Sequence, residues 1–170
     1  MKKLILITLI STISFISCTE STEKTFDAPY KLSIKNEKAY ELYKSAKLKS
    51  QRGDYVGSKL DFEACLRIDP NFIMACLDIN ETNIVKKNNY TKRAYENYDN
   101  ASETEKIFID LSRVKNDEER LSLLNRLALL NPNNSDVFYR LGSYYLNKDY
   151  NKFKENFDKA LSINPNNWDV

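Results

Sequence analysis

Three of the chain's four prolines close the same kind of phrase: "RIDPNF" around Pro70, "LLNPNN" around Pro132 and "SINPNN" around Pro165. Proline lacks an amide donor and its ring meets the preceding turn, so each phrase marks a helix end. Aligning the chain on these prolines makes the preceding residues coincide. Eight before stand Phe62, Leu124 and Phe157; five before, Cys65, Leu127 and Ala160; two before, Ile68, Leu130 and Ile163. Those offsets lay three apolar side chains along one helix face. Sixteen before comes Asp54, Asn116 or Asp149, each able to accept from the free amides of a first helical turn. The unit is a capped amphipathic helix of about 14 residues, stopped by proline and followed by an asparagine able to cap the next helix.

Pro132 and Pro165 are 33 residues apart, and Pro70 and Pro132 are 62 apart, which leaves room for two slightly short units with the middle proline lost. From Glu37 onward the pattern is helical: Ala39, Leu42, Tyr43 and Ala46 share a face, as do Tyr55, Phe62, Cys65 and Leu66. Between them Gly53 can end one helix and Asp54 can cap the next. A helix is expected from Asn71 to about Lys87, with "KNNY" as a turn and Tyr90, Ala94, Tyr98 and Ala101 on the helix after it. Ser102 with Glu105 predicts a capping box, and Asn116 with Glu119 a second cap. Four helix pairs result, at about 37–70, 71–101, 102–132 and 133–165.

Glycine, tyrosine, a small residue, phenylalanine, alanine and proline recur in order in "GDYVGSKLDFEACLRIDPN" and "LGSYYLNKDYNKFKENFDKALSINPN". In this the chain resembles the tetratricopeptide repeat family over residues 37–165, most closely in the first and last units. The resemblance implies an all-α solenoid of about four antiparallel helix pairs, in which stacking buries apolar stripes that no pair covers alone. Tyr55, Phe62, Tyr150 and Phe157 are accordingly expected in the core. The sequence stops at "NPNNWDV", where a covering helix would begin, so the last pair's apolar side is to be covered by Trp168 folding back, by a second copy, or by another protein.

The N-terminus reads "MKKLILITLISTISFISC": two lysines, an apolar run from Leu4 and then Ser17-Cys18, the pattern of a secretory signal. The run to Ile16 is short for a helix crossing about 30 Å of hydrocarbon. Phe15-Ile16-Ser17-Cys18 resembles the lipobox of bacterial lipoproteins, which implies a signal peptide over 1–17 and diacylation of Cys18 as the mature N-terminus. The other reading is a secreted protein cut nearby with Cys18 incidental. Residues 18–36, polar and holding Pro29, are expected to be a lipidated flexible tether, and 166–170 a C-terminal tail. Thr19 is not the aspartate that goes with inner-membrane retention in enteric bacteria, so the expected location is the cell envelope, with the outer membrane favoured.

Charge and composition restrict the chemistry. Of 26 basic residues Lys2 and Lys3 leave with the signal, so 24 remain against 24 acidic ones, without the excess that displaces counterions from nucleic acid. The chain has no histidine, which removes the commonest general base and metal ligand. Three glycines, Gly53, Gly57 and Gly142, cannot build a phosphate cradle. Asp117-Glu118-Glu119 suits a helix start and is aimed at no partner group. No catalytic function, cofactor or metal is expected. Cys65 and Cys76 fall at similar heights on neighbouring antiparallel helices, so a disulfide is geometrically open, beside the reading of two thiols packed as small core residues.

The resemblance also implies a concave groove, lined by the first helix of each pair, that holds a partner's peptide or helix. Carried over by helix, the groove candidates are Tyr40, Tyr43 and Lys47, then Asp78 and Thr82, then Asp136, Tyr139 and Ser143. The lysine and asparagine clamp of the chaperone-binding members is not reproduced: only Lys47 suits it, and Asp78 and Asp136 would repel a C-terminal carboxylate. The expected function is a membrane-anchored adaptor that binds a peptide or helix of an envelope protein. The alternative is a structural lipoprotein that self-associates through its uncovered last repeat.

Overall fold

The computed structural model describes residues 32–165. The expected signal peptide, Cys18, most of the expected tether, and Trp168 in the tail lie outside the described residues. Among those described the fold is all-α, with eight helices: α1 (Glu37–Gln51), α2 (Tyr55–Ile68), α3 (Ile73–Asp78), α4 (Ile84–Glu96), α5 (Glu103–Leu111), α6 (Asp117–Leu130), α7 (Ser135–Tyr145) and α8 (Tyr150–Ile163). They form four consecutive pairs, the solenoid of antiparallel helix hairpins that the spacing of the prolines implies.

Side-chain caps set the starts. Asp54 accepts from the Gly57 amide at 2.8 Å, Asn116 from Glu118 and Glu119, and Asp149 from Asn151 and Lys152. Ser102 and Glu105 close a reciprocal capping box on α5. α1 ends as expected: Gly53 takes φ +77°, its amide donates to the Ser50 carbonyl, and the Asp54 amide donates to Lys49 O, each at 2.9 Å. The residues before the three prolines, Asp69, Asn131 and Asn164, have φ near −125° to −134° and positive ψ. Clash with the proline ring excludes helical ψ there. Asn134 caps α7 through the Asp136 amide, whereas Asn71 caps nothing on α3. The cap position of α3 falls to Phe72, which is buried with its ring 4.8 Å from that of Tyr43, so packing has displaced capping.

The second pair departs from expectation. α3 stops at Asp78 instead of running to about Lys87, and "KNNY" lies inside α4 and makes no turn. The turn is Ile79–Asn83. Ile79 is buried, the Glu81 carboxylate accepts from the Asn83 amide at 2.8 Å and meets Lys59 of α2 at 3.0 Å, and the Asn83 side chain caps α4. Tyr98 belongs to a short 3₁₀ turn after α4, and Ala101 follows that turn. The residues missing from the 62-residue interval come out of the first helices: α3 has 6 residues and α5 has 9, against 15 in α1 and 11 in α7.

One core runs from α1 through α5 into α6 and α7, and a smaller one joins α6, α7 and α8 through Leu124, Phe138, Leu141 and Ala160. The position five before each proline is fully buried in all three units. Phe62 is buried and Phe157 half-buried, but Tyr55 and Tyr150 are 54 % and 71 % exposed, contrary to expectation. Both open their helices directly after the cap, beside the turn, where the neighbouring helix has already ended. The end of the segment expected as tether lies on the domain: Leu32 and Ile34 pack against the core, and the Ser33 amide donates to Glu105 Oε2 at 3.1 Å.

Candidate functional site

Asp78, the last residue of α3, is where three pairs meet. Its Oδ2 accepts from the Tyr43 hydroxyl at 2.9 Å and lies 3.3 Å from Lys47 Nζ, both on α1. Its Oδ1 lies 3.8 Å from the Arg140 guanidinium of α7, whose Nε donates to Asp136 Oδ2 at 2.9 Å. Two cations and two carboxylates, all half-buried, thus tie the first, second and fourth pairs together. Burial on its own would lower the Lys47 ammonium, but Asp78 and Asp136 outweigh burial and the repulsion of Arg140, so its pKa is raised.

Two adjoining pockets open around this cluster. The smaller, about 310 Å³, is lined by Lys47, Ser50, Phe62, Asp136 and the groove edge formed by Tyr139 and Arg140. The larger, about 620 Å³, shares Asp78, Tyr139 and Arg140 and receives residues from every helix between α3 and α7. Its floor is Leu77, Phe108, Leu111 and Leu124, and its rim carries Lys87, Thr91, Arg120 and Ser143. The Arg140 guanidinium lies 5.0 Å from the centre of the Phe108 ring, a cation–π distance that holds it between the pockets.

Of the eight expected groove residues, Lys47, Asp78, Asp136, Tyr139 and Ser143 line these pockets. Tyr43 is buried beneath them and acts through its bond to Asp78. Tyr40 lines neither pocket and packs half-buried at the core edge with Lys44 5.0 Å from its ring. Thr82 is exposed in the turn after α3, because that helix ends four residues before it. Arg140 was missed by sequence reasoning, although it stands four residues after Asp136 and so on the same face. Lys87, Thr91, Arg120 and Leu124 belong to second helices and line the pocket alongside residues of the short helices α3 and α5.

Cys65 and Cys76 are buried free thiols. Burial pushes Cys65 up to about 12 and Cys76 up to about 11, and Cys76 Sγ is 3.8 Å from the Pro70 carbonyl oxygen. Among the described residues no group of three acidic or cysteine side chains could hold a metal ion, and no helix is long and apolar enough to cross a membrane.

The geometry of the fourth pair agrees with comparison to known families. A tetratricopeptide repeat model matches residues 135–167, which contain α7 and α8. No curated protein matches the chain. Repeats of this kind are protein-interaction modules and carry no catalytic chemistry of their own, so the helical-repeat fold and the matched repeat agree on protein binding.

Proposed function

We propose that the chain is a lipid-anchored adaptor of the bacterial cell envelope, tethered through Cys18 and holding a peptide or helix of an envelope protein against its concave face. The convergence of Lys47, Asp78, Asp136 and Arg140 beside two open pockets carries this reading. A solenoid needs only neighbour contacts for stability. A charged cluster spanning the first, second and fourth pairs therefore goes beyond what stacking requires, and it fixes the curvature of a binding surface. The lysines and apolar run before Cys18 support the anchor, with the outer membrane favoured. Two tests separate anchor from adaptor. Labelled palmitate should enter the wild-type protein and not Cys18→Ser. A partner identified by mass spectrometry after gentle solubilisation should be retained by Glu155→Lys on the outer face and lost from Asp136→Lys. Equal retention by both variants sinks the groove reading, and unlabelled wild-type protein sinks the anchor.

A second reading has its own support. Leu146 and Tyr150 at the turn of the last pair and Leu161 on α8 are 54 %, 71 % and 40 % exposed, apolar surface that a second copy could cover. Self-association through that surface is the alternative, and it requires a dimer or larger species by light scattering at micromolar concentration.

A further inference from the structure

The larger pocket is not the groove that the first helices alone would make. Alongside α3 and α5, of 6 and 9 residues, side chains of α4 and α6 line it as well. They change its chemistry. Leu77, Phe108, Leu111 and Leu124 give an apolar floor large enough for one aromatic or branched side chain. Around it stand three cations, Lys87, Arg120 and Arg140, and one carboxylate, Asp78. Asp78 is already met by Lys47 and Arg140. Lys87 is exposed and has no ion-pair partner among the described residues. Arg120 is held in place by donating to the Val114 carbonyl at 2.8 Å. Asp117, close enough for its charge to be felt at Arg120, is paired with Lys148 at 2.8 Å.

We infer that this pocket takes an acidic peptide segment with a single apolar anchor, its ring or branched side chain on the leucine and Phe108 floor and its flanking carboxylates against Lys87 and Arg120. The inference rests on the groove reading above and gives its partner a chemistry. Charge complementarity selects that occupant. A basic segment would face Lys87 and Arg120, since the Arg140 charge is met by Asp136 and Asp78, and a wholly apolar one would leave Lys87 and Arg120 without a counter-charge. The same complement accounts for the carboxylate-repelling residues of the sequence: Asp78 and Asp136 are neutralised within the cluster, and the side chains left to meet a ligand are cationic.

The experiment titrates the full chain, in micelles of a neutral detergent, with fluorescein-labelled EEDFEDE and with its basic counterpart KKRFKRK. The acidic peptide is expected to bind at least about tenfold tighter, with an affinity that falls as salt rises. Lys87→Glu changes an exposed side chain and should leave helicity intact while weakening the acidic peptide about tenfold and strengthening the basic one. Ser143→Trp, which fills the rim, should abolish both. Equal affinity for the two peptides overturns the inference, and so does an affinity untouched by Lys87→Glu. If acidic binding is lost in Lys47→Ala and kept in Lys87→Glu, the ligand sits in the smaller pocket: the groove reading survives and this inference fails. Binding of neither peptide at millimolar concentration tells against both.

Discussion

A Cβ placed on residue 142 would lie 2.1 Å from Cδ2 of Phe157, so Gly142 of α7 is the contact through which α8 closes on its partner. The Phe157 ring fills that space between Tyr139 and Phe153, with ring centres 5.4 and 4.5 Å away. Alanine favours a helix interior over glycine by about 1 kcal/mol. Overpacking typically costs about 1 to 3 kcal/mol. Gly142→Ala is therefore expected to lose stability despite its better propensity, by up to about 2 kcal/mol. In a Phe157→Ala background the same change should turn neutral or stabilising. Denaturant melts of the four proteins give the coupling, and additivity would mean the two helices do not meet here.

Glu105 is fully buried, and its Oε2 accepts from the amides of Ser102 at 2.8 Å and Ser33 at 3.1 Å. Glu105→Ala removes both acceptors and the reciprocal half of the capping box, a loss of about 2 kcal/mol. Glu105→Gln keeps one carbonyl acceptor and should cost less. Hydrogen exchange supplies the specific readout: the Ser33 amide should lose protection in the alanine variant and keep most of it in the glutamine variant. An unprotected Ser33 in the wild type would mean that residues 32–36 do not rest on the domain.

The raised pKa of Lys47 makes an alkaline prediction. A cation whose folded pKa lies above its ordinary value of 10.5 contributes stability that is complete below that pH and is lost as pH rises through the folded value. Above about pH 10.5 the wild type should therefore lose stability more steeply than Lys47→Met, measured by urea midpoints across the series. Parallel curves would show that Asp78 and Asp136 do not hold the ammonium.

The thiols should be silent until the chain opens. With Cys65 at about 12 and Cys76 at about 11, little thiolate exists at pH 8 and neither sulfur is accessible. Iodoacetamide should leave both unmodified in the native protein and alkylate both in denaturant without a reductant. Rapid native labelling would contradict their burial, and absence of labelling in denaturant would reveal a disulfide.

The features written locally were legible in the sequence. The caps at Asp54, Asn116 and Asp149, the Gly53 stop and the Ser102–Glu105 box each depend on residues within one turn, and all stand in the structure. Most of what was missed depends on distant partners. The turn after α3 carries one local signal, the Asn83 cap of α4, and is otherwise held by burial of Ile79 and by Lys59 reaching Glu81, twenty-two residues on. Tyr55 and Tyr150 have the spacing of core residues and are exposed because they overhang the hairpin turn, which is a fact of assembly and not of period. The pocket residues of α4 and α6 could not be found by carrying over first-helix positions, since they stand on second helices.

The concave surface is most directly tested by site-specific photo-crosslinking in the cells that make the protein, with a benzoylphenylalanine in place of Tyr139 or Ser143 on the pocket rim, or of Glu118 or Glu155 on the outer faces. Binding in the groove requires one discrete crosslinked protein from the two rim positions, lost when Asp136→Lys is added, and none from the outer pair. The same product from all four positions, or a product from Glu118 or Glu155 alone, would contradict it.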